Sequence, residues 1–218
     1  SQEDLINFYK IMEKSYENIF ENCGLKTIGV EADSGAIGGA ASKEFMVTAD
    51  SGEDSILFTK SGSYSANIEK AISLPSKEKP LRNFSKSLIH TPNQKSILDL
   101  CKTNNLDPSQ IVKVIIYLAK FEDKSEVPLL LCIRGDQSIN DVKAFNLIDK
   151  TKQSNLLTLS IIESDLEIKK NLNELPLGFI GPDLKDQLIK KNSSWEKKWV
   201  RIVDHSAYNL SKFISGAN

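Results

Sequence analysis

Val112–Phe121 reads VKVIIYLAKF, and after a charged connector at residues 122–126 the chain continues VPLLLCI at residues 127–133. Both runs are rich in β-branched and apolar side chains, and together they read as two central strands. The pair is apolar on both faces, so it needs cover on both. Around it the pattern alternates. Thr91-Pro92-Asn93 signals the start of a helix of about ten residues, and Asp107-Pro108 a second, shorter one. Residues 139–147 read as a helix, 156–162 as a strand and 199–204 as another. Residues 206–214 read as a helix ended by Gly216. The class is α/β, with mixed and largely antiparallel pairing.

The opening of the chain has a different texture. Leu5, Phe8, Met12, Tyr16 and Ile19 recur at helical spacing until Gly24 ends the pattern. Strands follow at residues 27–31, 44–49 and 56–59, with a small-residue turn at 33–42, giving a helix followed by antiparallel strands. Residues 74–80, LPSKEKP, carry two prolines and three charges and read as a linker, with a domain boundary there or slightly before it.

Composition excludes several classes of function. At 40% hydrophobic and 26% charged residues over 218, the chain can build a real core. Its longest apolar runs fall well short of the ~20 residues that span a bilayer, so no membrane role is expected. The first ten residues lack the basic and apolar regions of a secretory signal. A net charge of −1 argues against a general basic coat for nucleic acid. Cys23, Cys101 and Cys132 are scattered and odd in number, which fits a reducing cytoplasm rather than a disulfide framework or a zinc site. Only His90 and His205 are present, which excludes a His-rich metal centre. There is no G-x-S-x-G elbow, and the run from Gly35 to Gly39 is neither a Walker A loop nor a dinucleotide fingerprint. A catalyst built from this chain would work by holding a reactive substrate and a water.

Residues 30–54, VEADSGAIGGAASKEFMVTADSGED, resemble the stretch just after motif 2 in the bacterial-type prolyl-tRNA synthetases, which are class II aminoacyl-tRNA synthetases. The preceding helix is similar to that family's motif 2 helix. Residues 63–69, SYSANIE, resemble its DYAANIE block. Thr91-Pro92-Asn93 with Lys95-Ser96-Ile97, then Arg134-Gly135-Asp136, then Gly178-Phe179-Ile180-Gly181-Pro182, and finally Ser215-Gly216-Ala217-Asn218 follow in family order. The resemblance covers the whole chain. It implies an internal fragment in two parts. Residues 1–65 would belong to the class II catalytic domain, and residues 66–218 to a YbaK-like mixed-sheet editing insertion truncated at its C-terminal end. Motif 1, the ATP-gripping arginine, motif 3 and a pocket histidine would lie outside the chain.

The implied activity is hydrolysis of alanine mischarged onto proline tRNA, with the tRNA(Pro) 3′ end as partner and the alanine ester as substrate. No cofactor or metal is implied for editing. ATP, a homodimer and a cytoplasmic setting are implied for the full-length enzyme. A freestanding deacylase of the same fold and a non-catalytic acceptor-stem binding module are the alternatives.

By the same resemblance, Lys113 matches the editing-pocket lysine, where an ammonium would bind phosphate near the tRNA 3′ end. Read on its own, it is a strand-boundary lysine with its stem on apolar surface. Gly178, Phe179, Gly181 and Pro182 match a G-x-x-x-P loop. Glycine there lets backbone approach a substrate closely, although a simple turn uses the same residues. Asp204 matches an editing-site aspartate and is equally a helix cap. Glu44 matches a residue bordering the synthetic proline pocket, while Lys43 stands where the family often has histidine. Around Trp195 and Trp199 lie Lys190, Lys191, Lys197, Lys198 and Arg201. They read as an amphipathic segment with its tryptophans inward, or else as a tRNA-facing patch.

Overall fold

The computed structural model describes residues 1–35, 39, 41–72, 74–79, 81, 87–162, 165–173, 175 and 178–218. The chain divides into two compact units, Ser1–Ser73 and Leu74–Asn218. The linker reading sets the boundary at residues 74–80 or slightly before, and the family resemblance sets it at 65/66; Ser65–Asn67 is a strand of the first sheet, with Ala66 opposite both Glu31 and Leu57. The linker goes with the second unit and is tied down there.

In the first unit, α1 (Gln2–Asn22) starts at a capping box in which Ser1 Oγ accepts from the Asp4 amide. It ends where Gly24 takes φ +76°. Four strands follow: β1 (Thr27–Ala32), β2 (Ser42–Val47), β3 (Ile56–Phe58) and β4 (Ser65–Asn67). Their order is β2-β1-β4-β3. β1–β2 and β3–β4 are antiparallel, but β1–β4 is parallel, so the sheet is mixed rather than wholly antiparallel. Tyr16 and Phe20 of α1 stack on Phe45 of β2 at 5.7 and 6.0 Å. Of the expected turn at 33–42, residues 36–38 and 40 lie outside the described residues.

The second unit is built on the expected pair. β5 (Val112–Phe121) and β6 (Glu126–Arg134) form an antiparallel ladder in continuous register from Val112↔Arg134 to Lys120↔Glu126. β7 (Leu156–Ile161) adds antiparallel to β5 and β8 (Val200–Val203) adds parallel to β6, giving the order β7-β5-β6-β8. Both faces are covered. Ile116, Leu118 and Leu130 pack under Ile168, Leu172, Leu184, Trp195 and Trp199. Tyr117, Ala119, Leu129 and Leu131 pack under Ala144 and Ile148 of α3 (Asp141–Asp149). This is the two-sided burial that an uninterrupted apolar strand pair requires.

Two sequence expectations need correction. The helix α2 (Ile97–Asn104) begins after Ser96, not at Thr91. Ser96 Oγ accepts from the Asp99 amide at 3.0 Å, a local cap, whereas Asn93 lies at φ 61° in a turn. The last helix, α5 (His205–Tyr208), is far shorter than residues 206–214. Ile214 is drawn instead into a bridge with Ile111, its amide donating to Gln110 O at 2.9 Å. In the tryptophan-bearing segment Trp195 bridges Glu126, and the chain then enters β8 as expected for residues 199–204. The short helix α4 (Asp165–Asn171) had no counterpart in the sequence reading.

Arg134 fastens the linker to this sheet. It is 1% exposed, and its guanidinium grips Asp136 through Nε and Nη2 at 2.6 and 2.8 Å. Its Nη1 donates to Ser76 O at 2.8 Å and Nη2 to Ser76 Oγ at 3.1 Å. Gly135 is needed between them, since a Cβ there would lie 2.6 Å from Pro108 O. Further along the linker, Lys79 pairs with Asp107 at 2.6 Å.

Removing the Arg134 head strands Asp136 and the Ser76 carbonyl, so Arg134→Leu is expected to cost about 3 kcal/mol. Urea unfolding followed by tryptophan fluorescence reads this unit alone, since the chain's two tryptophans, Trp195 and Trp199, both lie in it. The same measurement tests the acids. The Lys79 ammonium and Ser109 hold the Asp107 carboxyl down at about 2, from 3.8, and Arg134 lowers that of Asp136. The unfolded chain therefore takes up protons first. The stabilisation is full above about pH 4 and fades as pH falls toward about 2. Asp107→Asn should flatten that decline, and a variant tracking the parent at every pH would remove Asp107 from the account.

Candidate functional site

A cleft of about 1290 Å³ opens in the second unit at the end of the sheet where β5 begins. Four segments far apart in sequence line it: residues 87–97, 111–115, 178–183 and 211–217. Lys113, Gly178, Phe179 and Pro182 are all on its wall. Gly181 lies directly behind that wall, and its amide donates to Asn218 Oδ1 at 2.8 Å.

Lys113 is half-buried on β5, opposite Ile133. Burial pushes its ammonium's pKa down, and the Asp136 carboxylate pulls partly the other way. Asp136 is itself held by the Arg134 fork, which draws on its charge. The lysine therefore faces the cleft with a counter-charge already engaged elsewhere, a setting that favours an incoming anion. Lys95 and Lys212 add two further cations to the rim. The walls are otherwise largely apolar, with Ile97, Leu100, Val114, Ile115 and Phe179 among them.

The glycine loop approaches its neighbours more closely than any side chain would allow. Gly178 sits at φ +87° with the Lys95 side chain 3.0 Å from where a Cβ would be. A Cβ on Gly181 would lie 2.3 Å from Gly216 O, and one on Gly216 would lie 1.9 Å from Phe179 O. Both are backbone-on-backbone contacts that only glycine permits. The segment from Ile214 also reaches the strand of Lys113. Val112 donates to Ile214 O at 2.9 Å, and Ser215 Oγ donates to Val112 O at 2.8 Å.

Two of the sequence candidates lie elsewhere. Asp204 is exposed, does not line the cleft, and caps α5, accepting from the Ser206 amide at 2.8 Å. Through that helix it still bears on the site, because Ala207 packs against Val112 and Cys132. Glu44 belongs to the first unit, on β2, where it accepts from Asn67 Nδ2 at 3.4 Å. Its neighbour Lys43 is ion-paired with Glu13 of α1.

Trp195 and Trp199 are 2% and 4% exposed, so neither offers a face for a nucleotide base to stack on. The Lys190 and Lys197 ammonium groups donate to carbonyls of their own surroundings, those of Lys169 and Ser193. The inward-tryptophan reading of this segment therefore holds.

The roles of Lys95, Lys212, Ser215 and Asn218 escaped the residue-by-residue reading. The signal was present for three of them, since Lys95, Ser215 and Asn218 stand inside the quoted blocks. Among the described residues, no group of His, Cys, Asp and Glu could hold a metal ion. Among the described residues no cysteine or histidine lines the cleft, and of its hydroxyls Ser96 donates to Asp99 Oδ2 at 2.6 Å and Ser215 to Val112 O at 2.8 Å. The arrangement can bind an anion, enclose a small apolar group and present backbone to it.

No family model matches the chain. Among curated proteins it is 68% identical over 218 residues to a proline--tRNA ligase of Prochlorococcus marinus strain MIT 9515. It is 69% identical to that of P. marinus subsp. pastoris strain CCMP1986, and 50% identical to that of strain NATL2A. Each match covers all of this chain but only 36%, 36% and 37% of the relative.

The close contacts predict an order of sensitivity. Gly216→Ala forces backbone apart and should cost about 2–3 kcal/mol or more. Gly178→Ala meets a movable lysine and a left-handed backbone, so about 1–2 kcal/mol is expected. Urea midpoints of the two variants check this. Equal midpoints would mean that Gly216 is not packed as described.

Proposed function

The chain belongs to the prolyl-tRNA synthetases, and we propose that residues 74–218 form an editing domain that hydrolyses alanine esterified to proline tRNA. The observation supporting this is the convergence of Lys113, the 178–182 loop and the 91–97 and 214–217 segments on one cleft that, among the described residues, no cysteine or histidine lines. The first unit would then belong to the synthetic domain, with Glu44 beside its proline pocket. ATP use, a homodimeric assembly and a cytoplasmic setting are proposed for the longer synthetase, and no cofactor is proposed for the cleft.

The chemistry follows from size and charge. Alanine is smaller than proline, so a pocket shaped for proline rejects it poorly, and a second, smaller site corrects the error. In the cleft, the Lys113 ammonium receives a phosphate of the tRNA 3′ end and fixes the terminal ribose. The glycine loop brings backbone against the aminoacyl group, where carbonyls accept from its α-ammonium and leave no room for the proline ring. Water attacks the ester carbonyl carbon, the bond to the ribose oxygen breaks, and that oxygen leaves as the hydroxyl. Alanine and intact tRNA result. With no side chain serving as nucleophile, the rate comes from placing ester and water together and from stabilising the developing oxyanion. Asp204 contributes by holding α5 against Val112, beside Lys113. The cleft volume exceeds what alanine needs and accommodates the terminal adenosine as well.

Deacylation of alanyl-tRNA(Pro) and prolyl-tRNA(Pro), measured with the chain and with the longer synthetase, tests the reading. The alanyl ester should be hydrolysed and the prolyl ester spared, and Lys113→Ala should lower the alanyl rate about 10²-fold. Equal hydrolysis of both esters would defeat the size argument. Binding of tRNA without hydrolysis of either would instead favour a non-catalytic acceptor-stem module.

A further inference from the structure

Asn218 makes three hydrogen bonds to a single loop. Its amide donates to Phe179 O at 3.3 Å, its Oδ1 accepts from the Gly181 amide at 2.8 Å, and its Nδ2 donates to Asp183 Oδ1 at 2.6 Å. Its backbone is left-handed, at φ 64°, which asparagine tolerates better than most residues. Asparagine thus suits this position twice. The backbone conformation permits it, and the amide is a fork with one acceptor for Gly181 and one donor for Asp183.

We propose that Asn218 and Asp183 form a clamp that sets the position of the 178–182 loop, which makes them positioning residues for the cleft. The role in turnover rests on the hydrolytic reading above, whereas the clamp itself does not. Ile180 anchors the loop in the core, and Arg201 Nε donates to Pro182 O at 3.3 Å. Gly181 and Gly216 meet backbone to backbone without side chains to interlock. Lateral placement therefore falls to directional bonds, and the Asn218 fork supplies them on both sides of Pro182. In a site without a side-chain nucleophile, a shift of the loop acts on the placement of the ester, and so on kcat more than on affinity.

The test is a swap made in the longer synthetase. Asn218→Asp keeps an acceptor for Gly181 but sets a second carboxylate against Asp183, so the two repel. We expect kcat for the alanyl ester to fall about 10²-fold with KM changed less than about threefold. Amide hydrogen exchange of the peptide carrying Gly181 should quicken about fivefold or more. Adding Asp183→Asn restores a donor opposite the introduced carboxylate and should recover both properties. Asn218→Gly keeps the left-handed backbone and removes only the fork, so it should reproduce the loss. The clamp is overturned if Asn218→Asp leaves exchange at Gly181 unchanged, or if the double variant exchanges as fast as the single one. A parent that hydrolyses no ester at all overturns the hydrolytic reading, and exchange at Gly181 then still decides the clamp.

Discussion

Burial of both faces of the β5–β6 ladder is the constraint on which the second unit depends. Every residue from Ile116 to Ala119 is buried, as is every one from Val127 to Arg134. Such a pair is stable only when layers close over each side, because apolar area left in water forfeits about 25 cal/mol per Å². α3 supplies one layer. The other comes from the long, irregular run between β7 and β8, anchored by the two tryptophans. With the middle of the ladder sealed in this way, the chemistry is left to its end, where β5 starts and the burial relaxes around Lys113, Val114 and Ile115.

The cleft at that end is held by close backbone contacts together with a few directional side-chain bonds. Strand β5 receives the 214–215 segment through main-chain hydrogen bonds, and the same segment then runs against the glycine loop. Three glycines, Gly178, Gly181 and Gly216, let those paths approach. Asn218 and Asp183 tie them with directional bonds. A wall made of main chain brings amides and carbonyls within reach of a ligand, which suits recognition of a small, polar aminoacyl group.

Charge is distributed in support of this. Arg134 takes up Asp136 and the linker carbonyl of Ser76, so this ion pair also fastens the linker to the sheet. Lys113 is left half-buried with its pKa lowered, in a site otherwise lined by apolar groups and two more lysines. The lysine-rich face around Trp195 has a different part. Its tryptophans belong to the core and two of its ammonium groups to nearby carbonyls.

The central strands, their two-sided burial, the short helix begun at Asp107-Pro108 and the α/β class were legible from the sequence, because these depend on local composition and on a hydrophobic pattern one strand long. Lys113 and the 178–182 loop were legible as residues worth attention through their place in ordered blocks. Their meeting was not, since it depends on pairing between Ile111 and Ile214, a contact that no periodicity encodes. The same pairing ended the last helix at Tyr208. Tertiary structure alone decided that Asp204 stands outside the cleft, that β4 joins β1 to β3 in the first sheet and that Asn218 grips the loop. Periodicity records which face of a segment is buried, whereas these features turn on single hydrogen bonds between residues brought together only when the sheet forms.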